Sequence, residues 1–162
     1  MSDFKIQAIM LGIFATATLD VWNVALNRFA GMPVPNWGFV GRWFAHMLRG
    51  RFRHEAIAAA EPVPNEVAIG WLAHYLIGIL FAAILLAFWP GWIRNPTFWP
   101  PMVVGWVTIL AGWLLLSPGL GGGIAHARRP DATRARLLNI AGHTIFGLAL
   151  WVGGMAILAL GR

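Results

Sequence analysis

Cysteine is absent from the 162-residue chain, lysine occurs once, as Lys5, and serine only at Ser2 and Ser117. Without thiols there are no disulfides, no thiolate catalysis and no cysteine-ligated zinc or iron–sulfur centre. Covalent catalysis has little material of any kind. Charge is equally scarce: Asp, Glu, Lys and Arg make up 11% of a chain that is 59% hydrophobic. A soluble domain of this size needs far more charge to cover its surface, so the composition points to a membrane protein. The net charge of +6 then reads as arginines gathered beside span ends and anionic lipid, and no nucleic-acid partner is expected.

What fills the chain is apolar. Four runs, at about 4–27, 67–89, 98–116 and 137–160, are long enough to cross a bilayer as helices, since roughly 20 residues at 1.5 Å each span the hydrocarbon. The expected fold is all-α: a polytopic membrane protein with a four-helix transmembrane bundle, one domain over 1–162, leaving no room for a soluble module. Ala15-Thr16-Ala17 imitates a signal-peptide cleavage site only weakly, because Lys5 alone is no basic region, and the first run is read as a retained span. Between spans one and two, Phe39, Val40, Trp43, Phe44, Met47 and Leu48 share one helical face and Arg42, His46, Arg49 and Arg53 the other. That pattern predicts an amphipathic interfacial helix over about 37–60, with its aromatics in the acyl boundary and its arginines at headgroups. It either seals the end of the bundle or binds a lipid or partner. Gly119 to Gly123 are loose enough for a backbone anion nest. Arg128 and Arg129 follow as topology determinants or headgroup ligands.

The spans also carry polar residues at helical spacing. Gly12, Thr16, Asp20, Asn23 and Asn27 mark one face of span one, and Glu66, Gly70, His74 and Gly78 one face of span two. Asn139, His143 and Gly147 repeat the device in span four, a short echo that a duplicated helical hairpin would explain. An ionisable group at such depth is costly unless paired, protonated or hydrated. These faces should therefore meet protein rather than lipid.

The first and third connections hold nine of the twelve basic residues, from Arg28 to Arg136 without Arg94, against Lys5, Arg94 and Arg162 elsewhere. Basic connections stay cytoplasmic, which predicts a bacterial inner-membrane protein with both termini periplasmic. Asp20, His74 and His143 then lie at one depth, roughly 10 Å below the cytoplasmic surface at 1.5 Å per residue. Asn23, Glu66 and Asn139 lie nearby. The bland interpretation is a hydrogen-bonded clasp worth about 1 kcal/mol per bond. The sharper one is a cluster that carries protons or holds a small ligand or metal, with Asp20, His74 and His143 as the candidate metal ligands and haem ligation through two histidines as a variant. Two further readings stay open: an accessory subunit of a larger electron-transfer or pigment complex, or a homo-oligomer, and an acid–base enzyme acting on a membrane lipid. The ten tryptophans suit interface anchoring first.

Several strings occur together and in order: ATATLDVW from Ala15 to Trp22, Gly41-Arg42-Trp43 with His46, and GRFRHEAI from Gly50 to Ile57. Gly70-Trp71, His74-Tyr75 and Gly78 follow, then PGLGGGI from Pro118 to Ile124, and His143 with Phe146-Gly147. In order and spacing they resemble the small bacterial inner-membrane proteins grouped as domain of unknown function 2938, over nearly the whole chain. The resemblance implies a polytopic bacterial membrane protein and no particular activity. It departs from the family pattern at Ser117, where glutamine precedes the proline, and at His126 to Pro130, where a Ser/Thr-Pro string follows the glycines.

Overall fold

The computed structural model describes residues 2–161; Arg162, counted above with the periplasmic basic residues, lies outside them. Among the described residues all regular structure is helical: α1 (Ser2–Ala30), α2 (Trp37–Met47), α3 (Glu66–Phe88), α4 (Trp99–Leu120) and α5 (Ala132–Leu160). Single 3₁₀ turns lie at Ile57–Ala59, Trp92–Arg94 and Ile124–His126. α1, α3, α4 and α5 are long and apolar enough to cross a membrane. Large apolar side chains such as Ile9, Leu72, Leu80, Val107, Leu115 and Val152 lie exposed along them, which suits acyl chains and not water.

Two elements differ from the sequence expectation. α2 ends at Met47 rather than near residue 60, because Gly50 takes a left-handed turn (φ 78°) in which Gly50 N–H bonds Met47 C=O and Arg51 N–H bonds His46 C=O. Arg49 lies in this turn, and Arg51, Arg53 and His54 follow outside the helix. α4, expected to stop at Ser117-Pro118-Gly119, continues through them to Leu120. A π-turn over Gly112–Leu116 precedes the proline, with Ser117 N–H bonded to Gly112 C=O. Widening the turn there accommodates a ring that would otherwise collide with the carbonyl four residues back. The helix then closes on Gly121 (φ 97°), whose N–H bonds Pro118 C=O, while Gly122 N–H bonds Ser117 C=O at 2.8 Å. The predicted anion nest is thus a helix C-cap, with those two N–H groups committed to the helix's own carbonyls.

The chain divides into two compact units. One comprises Met1–Val34, Tyr75–Thr108 and Ala141–Arg162. Its core is Leu11 and Ala15 of α1, Leu85 of α3, Val104 of α4, and Phe146 and Leu150 of α5. Lipid offers little hydrophobic drive for helix association, so close backbone approach has to supply it. A Cβ on Gly12 would overlap the backbone of Ile79, and one on Gly78 the Thr16 hydroxyl. The other unit comprises Pro35–His74 and Ile109–Ile140. Trp43, Ile57 and Ala60 form its small core, with Phe39, Met47, Leu116 and Leu120 packed around them. α2 crosses α3 tightly, since a Cβ on Gly41 would overlap the Glu66 carbonyl and one on Gly70 the Trp37 carbonyl.

Candidate functional site: a buried histidine pair beside an arginine-lined cavity

The second unit is where polar side chains are buried. α2 begins on Asn36, whose side-chain oxygen accepts the Phe39 N–H at 3.3 Å. One turn on, Arg42 donates to both oxygens of Glu66 at 2.8 Å and, through Nη1, to the carbonyls of Ile57 (3.0 Å) and Ala60 (2.9 Å). Glu66 Oε2 also accepts the Val63 N–H at 3.2 Å. The bidentate carboxylate raises the Arg42 pKa above its ordinary value in spite of burial. This knot fixes α2, the start of α3 and the intervening segment.

A further turn along α2, His46 is 4% exposed and His54 5%. His46 Nδ1 and His54 Nε2 are 2.9 Å apart, and His54 Nδ1 is 2.9 Å from the Gly119 carbonyl oxygen. A carbonyl only accepts, so His54 Nδ1 donates to Gly119, and the central bond then runs from His46 Nδ1–H to His54 Nε2; the two N–H groups of the uncharged pair serve both bonds. Burial, then the charges of His54, Arg51 and Arg49, hold the His46 pKa below the ordinary imidazole value, opposed by the Glu61 backbone carbonyl.

Open to the outside beside this pair is a cavity of about 180 Å³ lined by His46, Arg49, Arg51 and Glu61. Next to the pair, Trp43 packs edge-on against Gly119 and donates its indole N–H to the Phe52 carbonyl at 2.9 Å. A second histidine network follows. His126 Nε2 lies 2.8 Å from Asn139 Oδ1, which also accepts the Trp113 indole N–H at 3.0 Å, and His126 Nδ1 lies 3.1 Å from Ser117 Oγ. Ser117 donates in turn to the Gly123 carbonyl at 2.7 Å. Ala125 (φ 47°) and His126 (φ 62°) hold left-handed backbone, costly for residues with a Cβ. Arg136 Nε bonded to the Ala125 carbonyl at 2.7 Å and His126 N–H bonded to Ser117 Oγ at 3.2 Å hold them there.

A family described as "Protein of unknown function (DUF2938)" matches residues 9–157, nearly the whole chain. The chain belongs to the DUF2938 family. No curated protein and no solved structure matches it.

In this DUF2938 chain the residues singled out from sequence have the following partners. Asp20 accepts the Tyr75 hydroxyl at 3.1 Å. His143 Nδ1 donates to the Gly105 carbonyl at 2.9 Å and lies 3.1 Å from Thr108 Oγ1. His74 stacks on Trp37, ring centroids 3.9 Å apart. Asn23 is half-buried on α1. Among the described residues no three His, Cys, Asp or Glu side chains are grouped to hold a metal ion. Glu66 meets Arg42 and Asn139 meets His126, pairings the sequence reading did not make. Arg42 and His46, placed with Arg49 and Arg53 on a headgroup-facing stripe, are buried and bonded to protein, while Arg49, Arg53, Arg128 and Arg129 are exposed. Arg129 pairs with Asp131 at 2.8 Å, and that guanidinium holds the Asp131 carboxyl below its ordinary pKa. His54, Ser117 and His126 escaped the sequence argument because their partners, Gly119, Gly123 and Asn139, come from other segments of the chain. The one available signal was scarcity: three of only five histidines fall in the connections.

Proposed function

We propose that this DUF2938 protein is a non-enzymatic, proton-handling protein of the bacterial inner membrane, taking up one proton at the His46–His54 pair. The observation that carries the reading is a buried pair of imidazoles in direct hydrogen bond, His46 Nδ1 to His54 Nε2 at 2.9 Å, with His46 lining a cavity open to the outside. The pair matters to the fold around it, because His54 ties the segment after α2 to the C-terminal turn of α4. A catalytic reading finds less support: the Ser117 hydroxyl is 3% exposed and donates to a carbonyl, which removes it as a nucleophile. With the arginine-rich connections cytoplasmic, the pair faces the cytoplasmic side and both termini are periplasmic. Asp20, His74 and His143 belong to the same proposal as further proton-carrying groups of the spans, and Asp20→Asn and His74→Ala test them by pH-dependent flux in proteoliposomes.

The test of the pair is imidazole ¹⁵N NMR of histidine-labelled protein in nanodiscs across pH, with His54→Gln and His46→Gln assigning the resonances. The His46 ring should take up its proton below the ordinary imidazole value of about 6.5, and His46→Gln should abolish that transition. A His46 ring that stays neutral down to the pH at which the protein unfolds would overturn the proposal.

A further inference from the structure

The cavity beside the pair has a lining that the proton reading does not use. Its inner wall is the His46 ring and its rim is Arg49, Arg51 and Glu61. Among the described residues the guanidinium groups of Arg49 and Arg51 have no ion-pair or hydrogen-bond partner, whereas Arg42 and Arg129 are both matched to carboxylates. Free guanidinium groups beside a recess present forked donors of the geometry a tetrahedral oxyanion accepts. Counting the rim gives two arginines less one glutamate, a charge of +1, and a proton on the histidine pair makes it +2. The other charged groups near His46 do not alter that change: Arg42 and Glu66 neutralise each other, and α4 offers His54 only the uncharged Gly119 carbonyl.

We propose that this cavity binds a phosphate or phosphomonoester anion, held by Arg49 and Arg51, and that it does so together with the proton on His46–His54. The inference rests on the proton reading for its pH dependence and on the two arginines for its ligand class. Anion and proton assist each other, because each lowers the electrostatic cost of the other, and such coupling is reciprocal. The ligand has two available sources, a free anion or the headgroup of an anionic lipid such as phosphatidic acid, and the chemistry is shared.

The experiment is titration of the full-length protein with inorganic phosphate, followed by ³¹P NMR and calorimetry, in phosphatidylcholine nanodiscs with or without phosphatidic acid. Saturable binding is expected. Inorganic phosphate itself takes up a proton in this range and loses charge, so the pH dependence is read by calorimetry with sulfate, a tetrahedral dianion throughout. Sulfate binding should tighten on the order of 10-fold from about pH 8 to about pH 5.5, the effect of one added charge at partly screened range. Arg49→Ala and Arg51→Ala should each weaken it, and Glu61→Gln should strengthen it. If phosphatidic acid in the disc suppresses the binding of inorganic phosphate, the cavity takes the headgroup; if not, it takes the free anion, and both results support the site. No saturable binding of phosphate, binding indifferent to both arginine substitutions, or sulfate binding that does not tighten on acidification overturns the inference. The imidazole titration in phosphate-free discs is read separately. A pair that titrates without any phosphate binding defeats the anion site alone, and a pair that never titrates defeats the proton reading whatever the cavity binds.

Discussion

At the scale of single residues, the cost of a buried group is set by its last unsatisfied bond. Arg42 has four hydrogen bonds to Glu66, Ile57 and Ala60, so removing either member of the ion pair strands the other. Arg42→Ala or Glu66→Ala should destabilise the protein by about 3 kcal/mol, the low end for a buried pair because the Glu66 side chain keeps 20% of its exposure. Arg42→Lys should recover little, since an ammonium cannot make the fork. Denaturant unfolding in detergent measures both, and a lysine variant of wild-type stability would contradict the argument. His46 works in the opposite sense. Its folded pKa is lowered, so between that value and the unfolded one, about 6.5, the unfolded chain binds more protons. The stability that His46 contributes is complete above about pH 6.5 and is lost as pH falls through its folded pKa. Thermal midpoints should therefore drop on acidification from about pH 7 to 5, and His46→Gln should flatten that part of the profile. Neither residue's partner was legible in sequence. Helical periodicity put Arg42 and His46 correctly on one face, but which way that face turns depends on Glu66, His54 and Glu61, supplied by chain outside α2.

At the scale of elements, the sequence was most informative where period and length act alone. The four long apolar runs became four long helices, and the recurring glycines became contact points. Connections were least legible, because Gly50 and the π-turn over Gly112–Leu116 act through backbone geometry that a hydropathy pattern does not register. Pro118 illustrates the point: a proline usually read as a stop is carried inside α4 by one widened turn. The crossing of α1 and α3 gives a test. Thr16 is 2% exposed and its hydroxyl has no hydrogen-bond partner among the described residues; it lies against Gly78, where a Cβ would overlap it. Replacing the hydroxyl with a methyl removes a buried group that gains nothing, so Thr16→Val should be neutral or mildly stabilising. Gly78→Ala and Gly12→Ala instead force the helices apart and should cost about 1–3 kcal/mol each. Should Thr16→Val destabilise the fold as much as Gly78→Ala does, the crossing would depend on the hydroxyl and not on close approach.

For the whole molecule, the absence of cysteine that excludes so much chemistry also makes orientation directly measurable. Any single introduced cysteine is the only thiol in the chain, and the positive-inside argument assigns each connection a side. Arg53 in the first connection and Arg94 in the second are both exposed, so a cysteine at either position is open to reagent once the reagent reaches that side. Nine of the twelve basic residues flank the first and third connections, a bias of the kind that fixes topology when connections are short. In intact spheroplasts, a membrane-impermeant maleimide should label Arg94→Cys at once and Arg53→Cys only after permeabilisation. The reverse pattern would put both termini in the cytoplasm and move the His46–His54 pair and its cavity to the outer face. A cytoplasmic phosphate could not then reach it, and the pH that it senses would be that of the periplasm.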